Sequence, residues 1–477
     1  MSSSVIPKGW NNAHATAHEI THNQTVPIYF IPPEIIGQFF CWGKRLSMDP
    51  RYDDQAPSYN FEVAVSHVGR HLRNVAINTP SLWTDIDSTL LKSPDAFDTY
   101  LKRSGSLPLD IRLGARGRVA LGDLLDVLIP KIDRWRSLSV SSWCMEHDGS
   151  LFTRLRDRKA PSLEHFSIYA TSQDHFNGAS PEVLIGGARA LSFVRLGNCA
   201  LSSLRPPLTS VVTLHIDQPH PSIDYEQLCQ ILIAASPSLA NLSILGDVTA
   251  QEMWLAANTE NQIHMPALRA LRIGDITGFT YCGILLNISA PELESLFLKD
   301  VKDGDLEQLS DSPQMIPLRY KFPALRSLTV CDFECSPAAY LRLFTAFPAI
   351  THFMSIFTPL QSQICTRLIT FLEGGGTQCY HLPRASSLDG CLPWPNLDTI
   401  AFAPLDCLDL DHIIDMIKVR KRLGHPIAEL RLGAASEDIT SYILQNLTLE
   451  ECVTVEGFSD VDPWPAELRY SDYDDHF

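Results

Sequence analysis

The chain has 477 residues, with 38 Lys and Arg against 55 Asp and Glu, and a formal net charge of −17. An anionic excess of this size excludes a protein that coats nucleic acid, because phosphate binding needs a surplus of cations. Apolar residues at 45% and charged ones at 19% give ordinary globular composition, and the length has room for two to four domains unless a repeat array makes one long unit.

The first residues contain no apolar run that could serve as a signal-peptide core, and no later segment approaches the roughly 18 apolar residues of a membrane span. The chain therefore reads as intracellular, cytoplasmic or nuclear, with no membrane partner. Its 12 cysteines run from Cys41 to Cys452 without a CxxC pair. They read as reduced, mostly buried small hydrophobes.

Residues 1–26 read as a disordered tail. It contains His18-Glu19-Ile20-Thr21-His22, a match to HExxH, with His14 four residues earlier. On a helix, two histidines at this spacing bind one zinc ion and the Glu activates its water. The polar surroundings and Pro27, five residues on, leave no helix long enough to lie beneath a cleft. The match reads as adventitious metal binding by a tail, and no catalytic role or cofactor is expected.

Residues 27–88 read as a small helical module. Pro32 and Pro33 suit a helix's first turn, and Ile35, Ile36, Phe39 and Phe40 then fall on one face. After a polar interruption from Ser47 to Asn60, the stretch Phe61–Ala76 carries a second helical stripe, which Thr79-Pro80 ends. About sixty residues make a weak core alone, so an apolar stripe here implies a partner that covers it.

From Trp135 onward one phrase recurs. Pro161-Ser162-Leu163 leads to Phe166 and Ile168, Pro237-Ser238-Leu239 to Leu242 and Ile244, and Pro266-Ala267-Leu268 to Leu271 and Ile273. Pro291, Pro323 and Pro395 open further copies. The lead apolar position falls at 135, 163, 191, 211, 239, 268, 293, 325, 350, 397 and 427. Nine of the ten intervals lie near the roughly 20–29-residue period of leucine-rich repeats, whose strand signature is L-x-x-L-x-L. The last two apolar positions should alternate along a short strand and point inward, while the first caps the turn before it. Tyr225–Ile233 and Ala339–Phe344 carry helical spacing and should form the layer behind the strands. The predicted fold class is α/β, a small helical module followed by an irregular leucine-rich-repeat solenoid over 89–455. The 47-residue interval holds Gly374-Gly375-Gly376 and reads as an inserted loop. Lys418–Arg422 reads as a solvated basic run at a helix end, and 456–477 as an acidic tail.

No phosphate loop, dinucleotide fingerprint, nucleophile elbow or EF-hand loop occurs. Cys331, Cys335 and Cys365 lack the paired spacing of a metal cluster.

Two segments resemble a known family. IPPEIIGQFF, from Ile31 to Phe40, followed by VAVSHVGRHLRNVAINTPSLWTDI, is similar to the F-box of basidiomycete fungal proteins with C-terminal leucine-rich repeats. Tyr100–Leu109 resembles the segment that follows the F-box in them. The resemblance implies an F-box substrate receptor, non-catalytic, that binds the Skp adaptor of a cullin-RING (SCF) ubiquitin ligase and presents a target protein through its repeats. It assigns adaptor contact to Pro32, Pro33, Ile35, Ile36, Phe39, Val65, Val68 and Leu72, and leaves Trp83 to join module and repeats. Gly69 and Leu72 stand where the family pattern has Cys and Trp, which removes an aromatic anchor. A leucine-rich interaction scaffold without a ligase role is the alternative.

Overall fold

The computed structural model describes residues 27–458 except 48–59, 115–120, 142–149, 170–181, 198–204, 218–222, 249–261, 275–277, 307–317, 334–336, 357–367, 375–391, 404–409, 434–441, 443–444, 447–453 and positions 92, 224, 247 and 303. The chain is mixed helix and strand, built on one open sheet of 14 strands. In chain order these are β1 (Asp85–Asp87), β2 (Leu109–Leu113), β3 (Trp135–Ser141), β4 (His165–Tyr169), β5 (Phe193–Gly197), β6 (Thr213–Asp217) and β7 (Asn241–Leu245). They continue as β8 (Ala270–Gly274), β9 (Ser295–Lys299), β10 (Ser327–Cys331), β11 (His352–Ile356), β12 (Thr399–Ala403), β13 (Glu429–Gly433) and β14 (Thr454–Phe458). Every neighbouring pair is parallel and follows chain order. A parallel pair requires the chain to cross back after each strand. Here each crossing leads to the adjacent strand, an order that fits a solenoid-like α/β architecture.

Period-2 alternation decides which side chains are inside. Leu242, Leu271, Leu296 and Leu328 lie in register as one row across β7 to β10, and Ile244, Ile273, Leu298 and Val330 form the next. All eight are at most 1% exposed. The eleven lead positions of the repeat, Trp135 to Ile427, are all buried as well. Several close the turn ahead of their strand: Leu191 N–H donates to Ala188 O at 3.1 Å and Leu293 N–H to Ala290 O at 3.1 Å. Helices form at Tyr225–Ala235 and Pro337–Ala346, where the amphipathic spacing predicts them.

Several features depart from the sequence reading. The sheet has three strands that the repeat phrase does not mark. β1 has one inward residue, Ile86, β2 begins at its lead residue Leu109, and β14 has Gly457 where the second inward apolar residue belongs. The sheet therefore starts inside the segment read as helical module and ends at Phe458, inside the segment read as acidic tail. Residues 1–26, with the histidine motif, and 459–477 lie outside the described residues. Phe61–Ala76 is two helices, α2 (Phe61–Val68) and α3 (Arg70–Ile77), separated at Gly69 by extended backbone. Of the four described cysteines only Cys282 is buried, while Cys41, Cys229 and Cys331 are half-buried.

The basic run is not wholly solvated either. Arg420 is 0% exposed, and its guanidinium donates to Leu372 O at 3.1 Å, Pro393 O at 3.0 Å and Trp394 O at 2.7 Å. It ties together the residues on either side of segment 375–391. Burial lowers its pKa to about 10, so the charge persists at neutral pH and the carbonyls answer it. Trp394 has φ 44°, strained for so bulky a residue. Stacking on Phe353, with 5.1 Å between ring centroids, and a 3.0 Å hydrogen bond from its indole to Phe347 O hold it there.

Lys321 is enclosed in the same way: 4% exposed, it donates to Leu286 O. Burial lowers its pKa from 10.5 to about 8. Below pH 8 folded and unfolded chains both hold the proton, and the folded state bears the full cost of the buried charge. Between 8 and 10.5 the folded chain sheds it first, so stability contributed here rises with pH. Relative to a Lys321→Met variant, the native protein should gain on the order of 1–3 kcal/mol between pH 7 and 10, read as a narrowing or reversal of the difference in melting temperature. A pH-independent difference would refute the assignment.

Candidate functional site

The module opens with α1 (Pro33–Ser47). Pro33 begins it, Glu34 lies in its first turn and Lys44 and Arg45 in its last, each sign matching the helix dipole. Its inner face carries Ile36, Gly37 and Lys44, all buried. At Gly43 a Cβ would come within 2.6 Å of the Phe61 ring, so glycine lets α2 approach α1 closely.

The opposite face is apolar and open. Ile35, Phe39, Trp42 and Leu46 recur at 4-3-4 spacing, the seam pattern of packed helices. They are 40%, 53%, 56% and 54% exposed. Phe39 and Trp42 meet edge to face with centroids 5.8 Å apart. Phe30, in the turn before α1, and Val68, at the end of α2, are also exposed. Beside Trp42 a groove of about 390 Å³ runs between α1 and the Thr79-Pro80 turn, with Glu34, Gln38 and Arg45 at its edge and Cys41 inside.

The predicted contact residues divide accordingly. Pro32, Pro33, Ile35, Phe39 and Val68 are exposed, Val65 and Leu72 are half-buried, and Ile36 is 2% exposed and packs inward. Sequence reading missed Trp42 and Leu46. The stripe beginning at Ile35 and Phe39 would have found them if continued for two more turns at i+7 and i+11.

A buried ionic cluster fixes this face relative to the sheet. Lys44 Nζ donates to Leu82 O at 2.7 Å, pairs with Asp85 Oδ2 at 2.8 Å and lies 3.7 Å from Glu62 Oε2. Glu62 in turn accepts from the Tyr100 hydroxyl, which belongs to the helix Pro94–Arg103. Burial, then the neighbouring Glu62 carboxylate, pushes the Tyr100 phenol upward, so it remains a donor at any ordinary pH. Trp83, 1% exposed, completes the joint. Its indole N–H donates to Ala76 O at 2.8 Å, Tyr100 meets it edge to face at 5.0 Å, and the Arg103 guanidinium lies 4.3 Å from its ring centre.

Among the described residues no three His, Cys, Asp or Glu side chains come together as a metal site, and no helix is long and apolar enough to cross a membrane. His14, His18 and His22, like Cys335 and Cys365, lie outside the described residues. Burial raises the Cys331 thiol to about 12, which leaves it protonated and a poor nucleophile or ligand at neutral pH. No family model and no curated protein matches this sequence.

Removing the Lys44 charge leaves Glu62 without its cation at the joint. Lys44→Met should cost about 3 kcal/mol of local stability, the usual loss when one partner of a buried pair is removed. The measurement is hydrogen exchange at Ile86 and Asp87 in β1, which should lose protection while β8 to β10 keep theirs. Equal loss in both regions would show that the cluster does not act locally.

Proposed function

We propose that this chain is an F-box-type substrate receptor: residues 27–88 dock on the Skp adaptor of a cullin-RING ubiquitin ligase, and a leucine-rich-repeat solenoid presents a target. The observation that carries the reading is the open apolar face of α1, Ile35, Phe39, Trp42 and Leu46, on a module held rigidly to the first strand. Nothing among the described residues covers these side chains, and a partner chain is what would cover them. In this scheme the protein performs no chemistry. It supplies proximity, turning a slow encounter between target and ligase into an effectively intramolecular one.

The resemblance in Ile31–Phe40 and Val63–Ile86 supports the choice of partner, and Leu72 qualifies it. Leucine there keeps part of the buried area but supplies no ring, so the aromatic contribution falls to Phe39 and Trp42. The scaffold reading, without ligase attachment, draws on the same substitution.

Co-expression with the Skp adaptor separates the two. The intact protein should copurify with it, and Ile35→Asp with Phe39→Asp should weaken the complex at least tenfold, in keeping with loss of at least about 2 kcal/mol at an interface hot spot. Both positions face solvent in the free protein, so the variant should keep its melting temperature. Absence of binding by the intact chain would favour the scaffold.

A further inference from the structure

The strand face turned away from the inward rows is closed at its middle. Arg195, His215 and Ser243, neighbours on β5, β6 and β7, are 2%, 1% and 0% exposed. Arg195 Nε donates to Asp217 Oδ2 at 3.0 Å. Side chains so enclosed cannot read a target, and an accessible surface has to lie elsewhere.

The connections between strands offer one. The crossing from β6 to β7 contains the helix Tyr225–Ala235, whereas the described residues of the crossings from β4 to β5 and from β5 to β6 contain none. The step from helix to irregular chain leaves a groove of about 390 Å³, floored by Leu184, Leu208 and Ile231 and bordered by Pro206, Ala234 and Arg205. Ile185 and Ile233, among the most exposed large apolar residues of the repeats, stand at 52% and 57%. The volume is that of a site for a few side chains.

The groove wall is built in advance. Val183 N–H donates to Arg205 O at 3.1 Å, Leu184 N–H to Leu155 O at 3.1 Å and Ile185 N–H to Arg156 O at 2.8 Å, while Ala160 N–H donates to Gly187 O at 2.9 Å. These bonds hold Leu184 at φ 56° and Gly187 at φ 102°. A Cβ on Gly186 would lie 2.8 Å from Arg158 O, so the wall lies tight against the preceding turn. A wall fixed this way loses little entropy when a ligand arrives.

The chemistry of the lining selects the occupant. It is mostly aliphatic and proline, with no aromatic ring; Gln230 and one acid, Glu182, also line it, and Arg205, which bridges Glu182 through the backbone but forms no ion pair with it, is its single cation. Among the described residues the Arg205 side chain has no ion pair, and its Nε is closed to solvent without a hydrogen-bond partner. A carboxylate is the group that satisfies a guanidinium in such a place, by charge-assisted and often paired hydrogen bonds. We infer that this groove is a docking site for a target's extended peptide segment that carries two aliphatic side chains and one acidic residue, the carboxylate meeting Arg205.

The test is selection of random dodecapeptides displayed on phage against the full-length protein, followed by fluorescence polarisation with the recovered peptide. The expected consensus pairs two aliphatic residues with Asp or Glu. Ala234→Arg, an exposed substitution that fills the groove, should weaken binding at least tenfold. Arg205→Gln should do the same, and replacing the peptide's acidic residue by its amide should then cost little further affinity, as a coupled pair requires. Failure to enrich any sequence, or full affinity in Ala234→Arg, overturns the site; a consensus without an acidic residue overturns the carboxylate. No adaptor enters this assay, so the groove and the adaptor reading stand or fall separately.

Discussion

From β4 to β13 each strand can bury its second and fourth side chains only because its neighbours continue the same two rows. A single strand with its crossing has no interior. Stacked in register, residues such as Leu271 and Ile273 become fully buried, worth roughly 1.5–3 kcal/mol each relative to exposure. Stability in such an array comes mostly from neighbour contacts, so the array needs its ends protected. The N-terminal edge is β1, three residues long with two aspartates, a short charged edge of the kind that resists pairing with other chains. The helical module seats against it through Lys44, Glu62 and Tyr100. The module thereby also closes this end of the array.

Three of the enclosed cations lie where the repeat loses regularity. Lys44 answers the Leu82 carbonyl at the join between module and sheet. Lys321 answers Leu286 between two crossings, and Arg420 answers three carbonyls on either side of segment 375–391. Irregular backbone leaves carbonyls without ladder partners, and an enclosed carbonyl must find a donor or lose free energy. Long basic side chains reach such oxygens where no backbone N–H can. A basic residue in a helix's last turn therefore need not serve the dipole or the solvent.

Two open apolar surfaces result, for opposite reasons. The α1 face is regular: a helix whose second stripe, Ile35 to Leu46, has nothing among the described residues laid over it. The groove beside Leu184 is irregular: the described residues of the crossings next to Tyr225–Ala235 contain no helix. Both stand on rigid supports, the first on the Lys44 cluster and Trp83, the second on backbone hydrogen bonds to residues 155–160. Rigid support favours docking, since a surface already in place costs little to order.

The repeat, its period and the inward positions were legible in the sequence because strand burial is written as local alternation, which needs only a few consecutive residues. The fate of a polar or singly placed residue was not. Ile36 and Phe39 look alike in sequence, yet one is enclosed and the other half open, because only the placing of α2 and α3 against α1 distinguishes the two faces. Arg420 reads as solvated until the Trp394 turn, 26 residues away, is folded over it. The break at Gly69 and the strands β1 and β14, each short of one apolar residue, follow from neighbours rather than from their own pattern. Sequence alone determined that this protein is a repeating α/β array behind a helical module, since hydrophobic periodicity acts locally. Tertiary structure decided which apolar faces stay open and which charges are enclosed, since burial depends on what distant segments bring alongside.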